Sequence, residues 1–254
     1  MRRLWLILGT VLTVAALAVS TGVVWAALAD PSPPSELSWR SIPFRGGALT
    51  VEARGDDVSV HIQAGQAGSI GVERDLVWTG RKPTAREQWD GGTLRLDGTC
   101  PGGGHPAMAD CLIRYQLFVP PETDVSATAN APLSARRMRG DVSLTSVWGA
   151  VGAHDLTGDL RLRSETGDIA ADRLRGGAVD AQTGTGTVRL SFETPPSDVR
   201  ATVRASGDIG LELPGGVYDV IAGAPNTDVD SRLDPSSSRK VRASTPDGGI
   251  HICC

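Results

Sequence analysis

Between about residue 125 and residue 213 the sequence repeats a short unit, and a chain that repeats this closely has few ways to fold. Each unit is a turn ending in Gly, often Gly-Asp, then an aliphatic residue, then an alternation of apolar and polar positions: GDVSLTSVW, GAVGAHDLT, GDLRLRSET, GDIAADRLR, GAVDAQTGT, GTVRLSFET, SDVRATVRAS and GDIGLELPG. The first aliphatic residues are Val142, Val151, Leu160, Ile169, Val179, Val188, Val199 and Ile209, at steps of 9, 9, 9, 10, 9, 11 and 10. Inside a unit the apolar residues sit two apart, as in Val188/Leu190/Phe192 and Ile209/Leu211/Leu213, which is the period of a half-buried strand. Hairpin turns favour Asn-Gly or Asp-Gly at their centre, whereas here Gly-Asp stands at strand entry, so stacked coils fit better than a meander. Two units make one coil, with Val142, Leu160, Val179 and Val199 recurring on one sheet and Val151, Ile169, Val188 and Ile209 on the other. The expected fold is all-β, a β-solenoid or β-helix-like stack of 9–11-residue strand-turn units over residues 125–252. Val217, Val220, Val229, Val241 and Ile250 continue it less regularly, so an irregular end is expected.

Residues 46–124 read as a leading β region that opens the same stack, since ALTVEA, DVSVHI, IGVE, TLRLDG and CLIRYQLFVPP alternate or carry β-branched residues. RKPTAREQWD, residues 81–90, is the one segment here expected to form a short helix, with Pro83 in its first turn. Aromatic residues make up only 4% of the chain, so the core must be aliphatic, and 31 glycines supply the many turns.

The N-terminus reads differently. Residues 1–3 form a basic tail, and residues 4–29, LWLILGTVLTVAALAVSTGVVWAALA, carry no charge and are long enough as a helix to cross a hydrocarbon core of about 30 Å. Arg2 and Arg3 on one side and Asp30 and Glu36 on the other place the N-terminus in the cytoplasm and the bulk of the chain outside, in a single-pass arrangement. Ala27-Leu28-Ala29 resembles a cleavage site, so a removed signal peptide is the competing reading; both export the rest. Residues 30–45 are rich in Pro and Ser and read as a linker.

Without Arg2 and Arg3 the exported part has 23 basic against 29 acidic residues, a net charge of −6, which argues against nucleic acid as a partner. Cys100 and Cys111 bracket the Gly/Pro-rich loop CPGGGHPAMADC, and in an oxidising compartment a disulfide is their simplest state. A metal site from Cys100, His105 and Cys111 is the alternative, but it lacks a fourth ligand. Cys253 and Cys254 are adjacent, and the sequence does not choose among cross-linking, a vicinal bridge and no role.

The strand-and-stop LIRYQLFVPPETDVSATA, the ladder GDVSL, GDLRL, GDIAA, GTVRL, GDIGL and the closing STPDGGIHI, together with the N-terminal anchor, resemble the DUF4097 family of exported bacterial β-strand repeat proteins, candidate adhesins that include envelope-stress proteins of the Lia system. The resemblance covers roughly residues 48–252 and implies a β-helix-like module of the cell envelope. It brings no catalytic or binding residues that transfer to this chain, which also departs from it in its cysteines.

The coil register predicts outward-facing columns. After each aliphatic on the first sheet come Ser143, Arg161, Asp180 and Arg200, so Arg161, Asp180 and Arg200 form an alternating-charge ladder, either a solvated ion-pair network or a strip for an anionic envelope polymer. Before each aliphatic come Asp141, Asp159, Ala178 and Asp198, so Asp141 and Asp159 stack as like charges. Either each carboxylate accepts a backbone N–H in its own turn, or the pair shares Ca²⁺. The nonapeptide G-G-x-G-x-D of calcium-binding β-rolls is not matched, and no cofactor is expected. On the second sheet the outward column Gly152, Ala170, Arg189 and Gly210 is small and sparsely charged, an expected interaction face. There is no G-x-S-x-G or H-E-x-x-H; His61, His105, His154 and His251 are scattered and expected at the surface or in turns, and Thr183-Gly-Thr-Gly-Thr187 has no Lys for a phosphate loop. The expected function is a non-catalytic, membrane-anchored module for adhesion, polymer or protein binding, or envelope-stress sensing. A polysaccharide-cleaving β-helix enzyme using Asp141, Asp159 and Arg161 is the alternative, disfavoured because short turns leave no long loops to wall a cleft.

Overall fold

The computed structural model describes residues 13–21, 33–55, 57–101 and 111–253. Residues 13–21 are helical, and most of the expected membrane segment 4–29 lies outside the described residues. Among the described residues no helix is long and apolar enough to cross a membrane. Residues 35–254 form a compact unit of their own.

That unit is built of strands. They are β1 (Ser35–Pro43), β2 (Ala48–Arg54), β3 (Val58–Ala64), β4 (Ser69–Trp78), β5 (Thr84–Trp89), β6 (Thr93–Thr99), β7 (Cys111–Val119), β8 (Asp124–Ala129), β9 (Leu133–Arg136), β10 (Val142–Trp148) and β11 (Val151–His154). The series continues with β12 (Leu160–Thr166), β13 (Ile169–Arg175), β14 (Ala178–Thr185), β15 (Val188–Thr194), β16 (Asp198–Ser206), β17 (Ile209–Glu212), β18 (Val217–Gly223), β19 (Asn226–Val229), β20 (Arg232–Leu233), β21 (Lys240–Ser244) and β22 (Gly249–Cys253). From β8 to β17 successive strands alternate between two 11-stranded sheets: sheet 1 runs β20-β18-β21-β16-β14-β12-β10-β8-β2-β6-β5, and sheet 2 runs β1-β4-β7-β3-β9-β11-β13-β15-β17-β22-β19. Neighbours in the repeat are parallel, and the pairing is the one expected: Val142↔Leu160↔Val179↔Val199 in sheet 1 and Val151↔Ile169↔Val188↔Ile209 in sheet 2. One coil is two units. The core between the sheets is aliphatic, with Tyr115, Tyr218, Phe44 and Phe192 the buried aromatics; each buried Val, Leu or Ile contributes about 1.5–3 kcal/mol.

The Gly-Asp signature has two structural causes. A Cβ at Gly167, Gly186, Gly207 or Gly248 would meet the carbonyl oxygen of the glycine one coil before it (Gly149, Gly167, Gly186 and Gly207) at 2.0–2.5 Å, so only Gly fits this corner column. The Asp that follows then ties one coil to the next: Asp168 Oδ1 accepts from Thr187 N–H at 2.7 Å, and Asp208 Oδ1 from Gly249 N–H at 2.7 Å. A buried hydroxyl column closes the neighbouring step: Ser146 donates to the Ala131 carbonyl (2.9 Å), Ser164 to Gly149 (3.0 Å), Thr183 to Gly167 (2.8 Å) and Thr245 to Gly207 (2.9 Å). Between Ser146 and Thr245, Val203, the register partner of Thr183, is the one apolar member. Val203→Thr should therefore gain a hydroxyl bond to the Gly186 carbonyl and hold or raise the thermal midpoint, where an unpaired buried hydroxyl would cost about 1–3 kcal/mol. A fall of that size in thermal unfolding would show that the hydroxyl finds no acceptor.

Both ends of the stack depart from chain order. The β2/β3 coil lies against β8/β9 and the later β6/β7 lie outside it, while at the other end β21/β22 insert between β16/β17 and the earlier β18/β19. The strands of residues 48–119 thus belong to the same two sheets as the repeat. Two expectations are corrected. Residues 35–43, inside the stretch read as a linker, form β1, antiparallel to β4. Residues 84–89, read as helix, form β5, antiparallel to β6, because Ala85, Glu87 and Trp89 turn inward while Thr84, Arg86 and Gln88 stay exposed. Glu87 meets Arg74 of β4 at 3.2 Å and Arg74 meets Glu36 of β1 at 3.3 Å, and Lys82 also pairs with Glu36. This partly buried ionic cluster plugs the N-terminal end of the apolar interior. Cys100 and Cys111 are bonded, with their Cα atoms 6.0 Å apart, and a loop of this length is worth about 3 kcal/mol.

Candidate functional groove

The strand starts of sheet 1 line a groove of about 540 Å³ that crosses β2, β8, β10, β12, β14 and β16. Its floor is the outward column Thr50, Ser126, Ser143, Arg161, Asp180 and Arg200; its rim is Asp124, Asp141, Asp159 and Asp198. Strand stacking positions these side chains, one step of about 4.8 Å per coil. The fold therefore brings together Arg161, Asp180, Arg200, Asp141 and Asp159, the five residues singled out on this sheet.

The stacked aspartates are relieved in a way the sequence reading did not anticipate. Asp124 Oδ1 accepts from Asp141 N–H (2.9 Å), Asp141 Oδ1 from Asp159 N–H (2.9 Å), and Asp159 Oδ1 from Ala178 N–H (2.8 Å). The acceptor reaches the next coil and not its own turn, because parallel in-register strands place the following N–H directly above the carboxylate. Where Ala178 ends the series, Ser197 donates its hydroxyl to the Gly177 carbonyl instead. Among the described residues no group of three or more His, Cys, Asp or Glu converges as a metal site.

The floor divides in two. Thr50, Ser126 and Ser143 make a hydroxyl half. In the other half Asp180 is shared by Arg163 at 3.2 Å and Arg161 at 3.8 Å, and Arg163 also donates to Gln182. Arg200 has no ion pair among the described residues. Its register partner across the next strand is Arg242, which lies 3.5 Å from Asp198. Sequence reasoning missed Asp124, Arg163 and Arg242. The signal for Arg242 was present, because Val199-Arg200-Ala201-Thr202 recurs as Val241-Arg242-Ala243-Ser244.

On sheet 2 the column Gly152, Ala170, Arg189 and Gly210 is in register as expected. It does not form one surface feature. Gly152 and Ala170 line one depression with His61, Ser134 and Asp172, and Arg189 and Gly210 line another with Asp228 and His251. His61, His154 and His251 lie on strands of this sheet and none in a turn; His105 lies outside the described residues. His154 and His251 face Asp172 (2.8 Å) and Asp228 (3.0 Å), and His61 Nδ1 is 2.7 Å from Ser134 Oγ. Burial, and then the charges of Arg114 and Arg136, hold the His61 imidazole below its ordinary range.

No family model matches the chain, so the likeness to DUF4097 stays one of motifs. No curated protein matches it. Among solved structures it is similar to a candidate cell adhesion protein from Clostridium sporogenes ATCC 15579 (11% identity over 87% of this chain and 99% of that one, TM-score 0.40). It is also similar to a candidate adhesin from Parabacteroides merdae ATCC 43184 (9%, 86% and 95%, 0.41) and to a candidate lipid binding protein from Parabacteroides distasonis ATCC 8503 (13%, 84% and 96%, 0.29). Values this low carry no argument about function, which rests on the groove.

Proposed function

We propose that the protein is a non-catalytic binding module of the cell envelope, held in the membrane by residues 4–29 with the bulk of the chain outside, and that it grips a linear envelope polymer along the sheet 1 groove. The observation that carries this is the continuity of the groove, which repeats the same floor-and-rim geometry at successive coils and so suits a ligand that itself repeats. Hydroxyls at Ser126 and Ser143 and the rim carboxylates offer hydrogen bonds to a hydroxyl-rich chain; Arg161 and Arg200 offer charge-assisted bonds to its anionic groups. Asp141 and Asp159 each commit one oxygen to a backbone N–H, which favours a positioning role for them over catalysis or calcium binding. Ala170, Arg189 and Gly210 are left as a secondary face, since their column is split between two depressions.

The test is sedimentation of the detergent-solubilised full chain with isolated cell-wall material, with and without EDTA. Wall binding without released fragments is expected, unchanged by EDTA and reduced at least about tenfold by Ser143→Trp, which fills the groove with a bulky ring. Released fragments that vanish with Asp159→Asn would make the protein an enzyme, binding lost in EDTA would restore the calcium reading, and binding indifferent to Ser143→Trp would move the site off the groove.

A further inference from the structure

Adjacent strands usually place opposite or neutral side chains beside one another, because like charges directly opposite repel. Sheet 1 breaks this rule at one end of the groove. Arg200 of β16 and Arg242 of β21 are register partners and both point outward; among the described residues the one ion pair either makes is between Arg242 and Asp198, at 3.5 Å, although Asp180 stands beside Arg200 on the other side. Their neighbours are already committed. Asp180 is shared between Arg161 and Arg163, and Asp219 is bound by Lys240 at 2.8 Å. A chain with a formal charge of −4 therefore gathers Arg161, Arg163, Arg200 and Arg242 on one face and leaves the last two side by side with one weak partner.

We propose that the Arg200–Arg242 pair is an anion site, which clasps a phosphate or carboxylate group carried by the groove's polymer and fixes where that polymer ends its run. Two guanidinium forks one strand apart can each bind an oxyanion through two N–H groups, which a lysine pair could not do. The bound anion would also remove the repulsion that the free protein carries. This inference rests on the groove reading and adds to it Arg242, which stands one strand beyond the residues lining the groove.

The test uses the full chain in detergent with three probes: linear polyphosphate, tripolyphosphate and, as the carboxylate counterpart, polygalacturonate. Tripolyphosphate should bind in a salt-sensitive way and lose about tenfold in affinity for each arginine replaced in Arg200→Gln and Arg242→Gln. Arg200→Glu should abolish binding and leave the thermal midpoint close to that of the parent, since its new ion pair with Arg242 offsets the like charge of Asp180 on the other side; this variant separates loss of the site from loss of the fold. Stronger binding of polyphosphate or of polygalacturonate identifies which oxyanion the site takes. Tripolyphosphate binding that survives Arg200→Gln/Arg242→Gln, or no binding of any of the three probes, would overturn the site. The two readings separate cleanly. If the groove reading alone fails, Ser143→Trp leaves wall binding intact while tripolyphosphate still depends on both arginines. If the anion site alone fails, Ser143→Trp lowers wall binding and Arg242→Gln, outside the groove lining, leaves it unchanged.

Discussion

Gly207→Ala is expected to lower the stability of the β unit by about 3–5 kcal/mol, read as a shift of the urea midpoint. Gly207 has φ +141°, a region L side chains rarely adopt, and its Cβ would stand 2.0 Å from the Gly186 carbonyl oxygen. That oxygen belongs to the backbone of the preceding coil, so no rotamer relieves the clash; the two coils must part, and the Gly186 N–H bond to the Ser206 carbonyl (3.1 Å), which joins them, is strained with them. The control is Gly210→Ala, three residues on, where a Cβ meets nothing within 4 Å. That change should move the midpoint by less than about 0.5 kcal/mol. Equal effects at the two positions would mean that glycine is used here for flexibility and not for close approach of the coils.

The second large effect lies in the N-terminal plug. Arg74→Met removes the one cation that contacts both Glu87 and Glu36, and Glu87 is only 12% exposed at its side chain. Glu87 would keep only Arg40, at 4.0 Å, and a carboxylate left in that place with so distant a partner should cost about 2–4 kcal/mol, less than a fully buried charge because the cluster still reaches solvent. Adding Glu87→Leu to Arg74→Met should recover most of the loss, since an apolar pair of similar volume can replace a buried ion pair. Failure of the double variant to recover would assign the effect to packing of the Arg74 stem. The cluster also sets an acid limit: the hydrogen bond from Lys82 holds the Glu36 carboxyl below its ordinary value of 4.5. Its contribution is complete above that value and is lost as pH falls through the lowered one.

The repeat was legible residue by residue because its determinants are local. Alternation fixes which side chains turn inward, the step of 9–11 residues fixes the register, and Val142, Leu160, Val179 and Val199 stack where those rules put them. What was not legible depends on partners far away in the chain. Thr84–Trp89 reads as a helix because its inward Glu87 makes sense only beside Arg74, and the register between 199 and 241 is hidden by the excursion through β18–β20. The groove falls between these cases. Its floor followed from the period, but the bond from each rim aspartate to the next coil, and the juxtaposition of Arg200 with Arg242, needed the strand order.

That strand order also governs when the stack can close. During synthesis β18 and β19 emerge before β21 and β22, yet they pair with no strand of the body except through them. Until β21 slides against β16 and β22 against β17, the preceding segment has nothing to rest on, and the upper edges of β16 and β17 stay open. The two late strands act as a keystone. A chain of this design has a built-in delay before its growing edge is sealed, and within that interval it is most exposed to proteases and to pairing with another copy of itself.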